Sequence, residues 1–286
     1  MKVLVTGKNS YIGNSFIEYT DGLLAVQKCS LRDTVWEQDS WSDYDSVLHV
    51  AGIAHSDVSH VTKEEQDKYY VVNCDLTERV AKKAKAEGVK QFIYLSSSIV
   101  YGESAPIGKQ KVINKDTPPK PSNFYGDSKL QAENALLSLQ TDDFRVVIIR
   151  TPMVYGKNSK GNFPKLLHLA KMTPIFPKIK NQRSMIYIKN LCEFIKICID
   201  KQHKGIYLPQ NKELVATSKL VQLIGEAVGR KILLVPGCTI GLKILAHMTG
   251  YVNKVFGNLE YEIADSLHEW NYCKYTLEQS IEEIFK

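Results

Sequence analysis

The sequence predicts an α/β fold: a doubly wound parallel sheet followed by a small C-terminal lobe. Three observations carry that expectation. Short apolar segments alternate with helical ones up to Ile149, as a parallel sheet with crossover helices requires. A glycine-bearing turn, Thr6 to Gly13, separates the first apolar segment from the first helical one. At 286 residues, with 44% hydrophobic and 24% charged side chains, the chain can bury one large core and a second, smaller one.

Taken in order, Lys2–Thr6 reads as the first strand, followed by Leu23–Lys28, Ser46–Val50, Gln91–Leu95 and Arg145–Ile149. Helices are expected over Leu76–Glu87 and Tyr125–Ser138. Gly7 permits a tight turn after the first strand, and Gly13 allows close packing of helix on strand. The helix start between them, at Ser10, Tyr11 and Ile12, offers free N–H groups and a partial positive charge suited to a pyrophosphate. Ser10 occupies the middle position of the usual glycine triplet. The first domain is expected over 1–155, with 186–209 returning to it through a helix near Leu191–Asp200 and a strand at Gly205–Leu208. The lobe comprises 156–185 and 210–286, entered through Gly156–Asn162 and closed by an amphipathic helix at Leu277–Phe285. The apolar run Ile240–Phe256, interrupted by Lys243, His247 and Lys254, reads as an amphipathic helix packing on the lobe. Association with a membrane surface is its alternative.

Chemistry concentrates in Tyr125-Gly126-Asp127-Ser128-Lys129. Four residues apart, the phenol and the ammonium share one helical face, and a nearby cation favours the phenolate. Tyr125 is therefore expected to work as an acid or base, acidified by Lys129 together with a bound cationic ring and partial exclusion of water. The strand ending Tyr94-Leu95-Ser96-Ser97-Ser98 delivers hydroxyls to the C-terminal sheet edge, where open α/β sheets bind ligands.

The glycine turn, Ser97-Ser98-Ile99-Val100-Tyr101-Gly102 and Tyr125-x-x-x-Lys129, in this order, resemble the extended short-chain dehydrogenase/reductase family with its Rossmann-type sheet. Its sugar-nucleotide epimerase/dehydratase branch fits best, and the match spans essentially the whole chain. The resemblance implies Ser97, Tyr125 and Lys129 as catalytic residues, with Ser96 and Ser98 as neighbouring candidates. It implies cofactor contacts at Gly7, Ser10, Tyr11, Ile12, Gly13, Ala51, Gly52, Asn73, Tyr125 and Lys129. Ser97, Ser98, Asn162 and Arg183 are implied as substrate-binding, the last two near a nucleotide diphosphate; a helix N-cap for Asn162 and a surface ion pair for Arg183 are the competing readings. At the end of the second strand Arg32 and Ser30 suit a 2′-phosphate while Asp33 suits a free ribose, so NAD and NADP both stand. The implied partner is a nucleoside-diphosphate sugar, most commonly a UDP-hexose, and the implied assembly is a homodimer through the helices near Leu76 and Tyr125. The resemblance departs at Met153, where many 4-epimerases carry an asparagine. Epimerisation at C4 and NAD(P)H-dependent reduction of a 4-keto sugar therefore stand as alternatives, and a redox-inactive dinucleotide-binding regulatory protein is the bland one.

Composition excludes other classes. Net charge is +6 with pI near 8.8, but no nucleic-acid module or interleaved aromatics accompany the lysines. The six cysteines are scattered without a Cys-x-x-Cys pair, which favours reduced thiols in the cytoplasm. His49, His55 and His60 show no metal-ligand spacing, so no metal is expected. No apolar run approaches the ~20 residues of a membrane span.

Overall fold

The computed structural model describes residues 1–53, 61–248, 251–266 and 270–286. In chain order its strands are β1 (Lys2–Thr6), β2 (Ala25–Cys29), β3 (Ser46–His49), β4 (Gln91–Ser97), β5 (Val112–Ile113) and β6 (Arg145–Thr151). They continue with β7 (Met153–Tyr155), β8 (Ile175–Pro177), β9 (Met185–Tyr187), β10 (Gly205–Tyr207), β11 (Leu233–Val235) and β12 (Glu260–Tyr261). The helices are α1 (Tyr11–Tyr19), α2 (Lys63–Tyr70), α3 (Leu76–Ala86), α4 (Phe124–Leu139), α5 (Asn162–Met172) and α6 (Ile188–Asp200). They end with α7 (Thr217–Ala227), α8 (Thr239–Met248), α9 (Tyr251–Phe256), α10 (Ile263–Ser266) and α11 (Leu277–Phe285).

The chain divides into two compact units. The first comprises Met1–Gly102, Pro118–Thr151 and Cys192–Pro209. Its six-stranded sheet runs β10-β6-β4-β3-β1-β2, with every pairing parallel. A parallel sheet is covered on both faces, and the inner strands β1, β3, β4 and β6 obey that rule. Leu4, Val47, Phe92, Tyr94, Val146 and Ile148 are buried in one core with Val80, Ala81 and Ala84 of α3 and Ala132 and Leu136 of α4. The alternate residues Val3, Val5, Ile93, Val147 and Ile149 are buried on the other face. There Gly13 of α1 lies so close to Val5 that a Cβ would stand 3.1 Å from its methyl carbon. Gln91 Nε2 ties the same sheet to α6 by donating to Cys198 O at 2.8 Å. The second strand begins at Ala25 rather than Leu23, because Gly22 at φ +71 still belongs to the turn.

The order in which strands are added reverses about β1, which pairs with β2 on one side and β3 on the other. At such a switch point the loops leaving adjacent strands part and open a ligand crevice.

The second unit comprises Glu103–Thr117, Pro152–Leu191 and Gln210–Lys286. Residues 103–117 cluster here rather than with the first unit, since β5 pairs with β12. The crossing comes at Pro152 rather than Gly156, because β7 pairs with β9 in a two-stranded sheet of its own. Within this unit Tyr155 is buried, its hydroxyl 2.6 Å from Ser280 Oγ and accepting from Asn211 Nδ2 at 2.9 Å.

The expected helix over Ile240–Phe256 is two helices, α8 and α9. Val252 and Phe256 of α9 are buried, whereas Ile240, Ile244 and Leu245 of α8 are exposed. No described helix is long and apolar enough to cross a membrane. All six cysteines are free.

Candidate active site

Gly7 leaves β1 at φ +94, a backbone region that side chains disfavour, and a Cβ there would stand 2.9 Å from the Ala51 nitrogen. The ends of β1 and β3 therefore touch because position 7 has no side chain. Ser10 does not crowd the turn. It is the N-cap of α1, and its Oγ accepts from Gly13 N at 3.3 Å, while Tyr11 and Ile12 form the first helical positions. Ala51 and Gly52 line the other side. A Cβ on Gly52 would meet Asn73 Oδ1 at 3.0 Å and Lys129 Nζ at 3.5 Å. Arg32 is exposed beyond the end of β2, its backbone N donating to Ser30 Oγ at 3.4 Å.

Asn73 lies in a π-type turn, Val71–Asp75, between α2 and α3, a wide turn often found at functional sites. The turn sends its amide inward. Oδ1 accepts from Ile53 N at 2.8 Å, and Nδ2 donates to Ile53 O and to Ser128 Oγ, both at 3.2 Å. One side chain thereby fixes the loop after β3 against α4. His49, fully buried at the end of β3, contacts Thr6 Oγ1 at 2.8 Å and Thr77 Oγ1 at 3.0 Å. Burial, with the Lys129 charge, lowers its pKa to about 3, so it is neutral at pH 7. His55 and His60 lie outside the described residues.

Tyr125 and Lys129 project from the first two turns of α4, which Asn123 caps by accepting from Gly126 N at 2.9 Å. Ser97 ends β4 and turns into a short 3-10 segment, Ser98–Tyr101, its Oγ accepting from Ile99 N at 3.3 Å. The Ser97 hydroxyl lies near enough to the Tyr125 phenol to draw its pKa down. Ser98 follows in the turn, half-buried, and Ser96 points away to Glu133. Of the three serines, Ser97 is the one on the phenol.

Burial pushes the Tyr125 phenol up to about 12; the Ser97 hydroxyl opposes this, and Tyr69 adds to it. Lys129 by itself does not acidify the phenol. Lys129 is itself buried, donates to Leu95 O at 3.0 Å and stands 4.6 Å from the Tyr94 ring centroid. Burial lowers its pKa to about 8, with Glu133 pulling the other way. Desolvation outweighs the charge pairing that helical spacing suggested.

Two features escaped the sequence. Glu133, one turn beyond Lys129 on the same face, pairs with Arg150 at the end of β6: Nη2 reaches Oε2 at 2.7 Å, and Nε reaches both oxygens. Arg150 Nη1 also donates to Tyr101 OH at 2.6 Å. The i, i+4, i+8 spacing was the available signal.

Gly126 is the second. A Cβ there would stand 2.8 Å from Ile99 O and 3.0 Å from Pro121 Cβ, so the missing side chain lets α4 meet the serine turn. Gly126→Ala is expected to cost about 1–3 kcal/mol from overpacking, despite alanine's better helix propensity. Turnover falls roughly tenfold to a hundredfold as Ser97 and Tyr125 separate. Thermal melts and kcat check this; an unchanged kcat would show that the close approach does not set the geometry.

In the second unit Asn162, Arg183 and Met153 line one narrow pocket, with Lys165, Thr217 and Lys254 around them. The helix cap is Gly161, at φ +89; Asn162 is the first helical residue. Arg183 is not a surface ion pair: its Nη1 donates to Lys254 O at 2.6 Å and to Val255 O at 3.3 Å.

The sequence profile described as "NAD dependent epimerase/dehydratase family" matches residues 3–208. UDP-glucose 4-epimerase of Vibrio cholerae is 29% identical over 99% of this chain and 93% of its own length. Among solved structures, UDP-glucuronic acid 4-epimerase of Bacillus cereus in complex with NAD has a TM-score of 0.75 at 18% identity, covering 100% of this chain and 97% of that one. A dTDP-4-dehydrorhamnose reductase of Clostridium acetobutylicum has a TM-score of 0.74 at 18% identity, covering 99% and 98%. These two likenesses establish the fold. With the profile match over most of its length, the chain belongs to the NAD-dependent epimerase/dehydratase family and is an enzyme of the extended short-chain dehydrogenase/reductase type.

Proposed function

We propose that the chain modifies a nucleotide sugar at C4 of a UDP-hexose, in the manner of a 4-epimerase. The observation that carries this reading is the convergence at the C-terminal sheet edge of Tyr125, of Ser97, whose hydroxyl draws the phenol's pKa down, and of the Gly52–Lys129–Asn73 floor. The open turn at Gly7, the capped start of α1 and the side-chain-free approach at Gly52 fit a dinucleotide. NAD or NADP, when bound, supplies the hydride acceptor and donor. Tyr125 takes the proton of the sugar hydroxyl and returns it, Ser97 orients that oxygen, and Lys129 holds the ribose. Asn162 and Arg183 take the nucleotide diphosphate. Arg32 decides between the two dinucleotides through the 2′ position.

One observation favours the second reading, NAD(P)H-dependent reduction of a 4-keto sugar. Met153 lines the pocket with Asn162 and Arg183, where many 4-epimerases carry an asparagine. A homodimer through α3 and α4 and a cytoplasmic location complete the assignment; the six free thiols support the latter.

The test is incubation of purified protein with UDP-glucose and no added cofactor. Redox-neutral formation of the 4-epimer supports the first reading. Consumption of NADPH solely with a 4-keto nucleotide sugar supports the second. No dinucleotide binding and no turnover would leave a redox-inactive binding protein.

A further inference from the structure

We infer that the second unit docks on an anionic lipid surface through the β8–β11 strand pair and helix α8. This goes beyond the proposed reaction and does not depend on which sugar is turned over. Ile175 and Leu233 are direct partners in that parallel pair, and both are exposed. Met172, the last residue of α5 and three before Ile175, is exposed as well. On α8 Ile240 and Ile244 are 74% and 63% exposed one turn apart, with Leu245 exposed beside them. Single exposed aliphatics are ordinary; six on two neighbouring stretches of one unit are not.

Charge identifies the occupant. Residues 152–191 carry eight Lys and Arg and no Asp or Glu, and residues 227–259 carry four and none. Lys165, Arg183 and Lys254 belong to the pocket already described. Lys171, Lys178, Lys180, Arg230 and Lys231 do not, and all five are exposed. Soluble surfaces intersperse both signs, and protein interfaces centre on aromatic and arginine anchors. Nucleic-acid surfaces need stacking platforms, but the aromatics of these stretches whose side chains are described, Tyr155, Phe163, Phe176, Tyr187 and Phe256, are all buried. Exposed aliphatics amid lysines of one sign match a headgroup layer: the aliphatics enter the acyl boundary, and the lysines meet anionic phosphates.

Flotation of the full-length protein with phosphatidylcholine vesicles, with and without phosphatidylglycerol, tests this. The protein is expected to float with the anionic vesicles alone and to be released by high salt. The double variant Ile240→Ser with Ile244→Ser is expected to lower partitioning roughly tenfold or more. The variant Lys178→Glu with Lys231→Glu does the same through charge. Both retain the parental melting temperature and dinucleotide binding. Absence of wild-type flotation overturns the inference, as does unchanged flotation of both variants. It is equally overturned if the isoleucine variant splits an oligomer seen in sedimentation, which makes a second copy the occupant. Tighter binding to single-stranded DNA than to vesicles, lost solely in the lysine variant, also overturns it.

Discussion

Tyr125→Phe is expected to abolish most turnover, by a factor of roughly 10²–10⁴, the usual contribution of a positioned acid or base. The loss is confined to chemistry. The ring keeps its edge contact with Tyr69, at 6.0 Å between centroids, so α4 stays seated. The floor proposed for the dinucleotide, Gly52, Asn73 and Lys129, does not involve the hydroxyl, so dinucleotide affinity is expected to be retained. Stability changes by at most about 1 kcal/mol, the net worth of one polar contact at the phenol. Turnover measured beside a fluorescence titration of the dinucleotide separates the outcomes. A variant that turns over within tenfold of the parent, or that loses the dinucleotide, refutes the assignment of Tyr125. Ser97→Ala is the milder companion, since it removes the partner of the phenol and leaves the proton carrier.

Much of this was legible because local rules and tertiary structure agree. The strand from Lys2 to Thr6 and the helix from Leu277 to Phe285 have the expected bounds, and Gly7 and Gly13 occupy the tight places their lack of a Cβ suggested. Tyr125 and Lys129 share a helix face, as four-residue spacing dictates. Their electrostatics were not legible. Spacing reveals proximity but not desolvation, and burial moves both groups the wrong way for mutual pairing. Nor was the role of Arg150, because its carboxylate partner is 17 residues away and meets it across β6 and α4. Helix α8 misled for a related reason: periodicity marks an apolar stripe but does not say what covers it.

Glu133→Gln is expected to be the most destabilising single change near the site, by about 3–5 kcal/mol. Arg150 and Glu133 are 7% and 1% exposed, so the guanidinium would lose its counter-charge where water cannot replace it. Glutamine keeps the shape but offers one acceptor oxygen and turns an NH₂ toward a donor. Glu133 also accepts from Ser96 Oγ, which leaves the end of β4 with a hydroxyl to re-pair. For a chain of this size the loss corresponds to a fall in melting temperature of roughly 10 °C, readable by calorimetry. The double variant Glu133→Leu with Arg150→Met discriminates the cause. If isolated charge is the penalty, removing both charges is less costly than removing one, because buried pairs replaced by apolar groups of similar volume often approach neutrality. If the double variant falls as far as the single, the network matters for its hydrogen bonds to Ser96 and Tyr101. A fall of less than about 1 kcal/mol in the single variant would mean that water reaches Arg150. Lys129 supplies a second reading of the same substitution. Glu133 is the group that opposes its burial, so the variant holds Lys129 neutral to a lower pH. The unfolded chain then binds the extra proton over a wider window, and stability keeps rising with pH from below about 8 up toward the unperturbed lysine value.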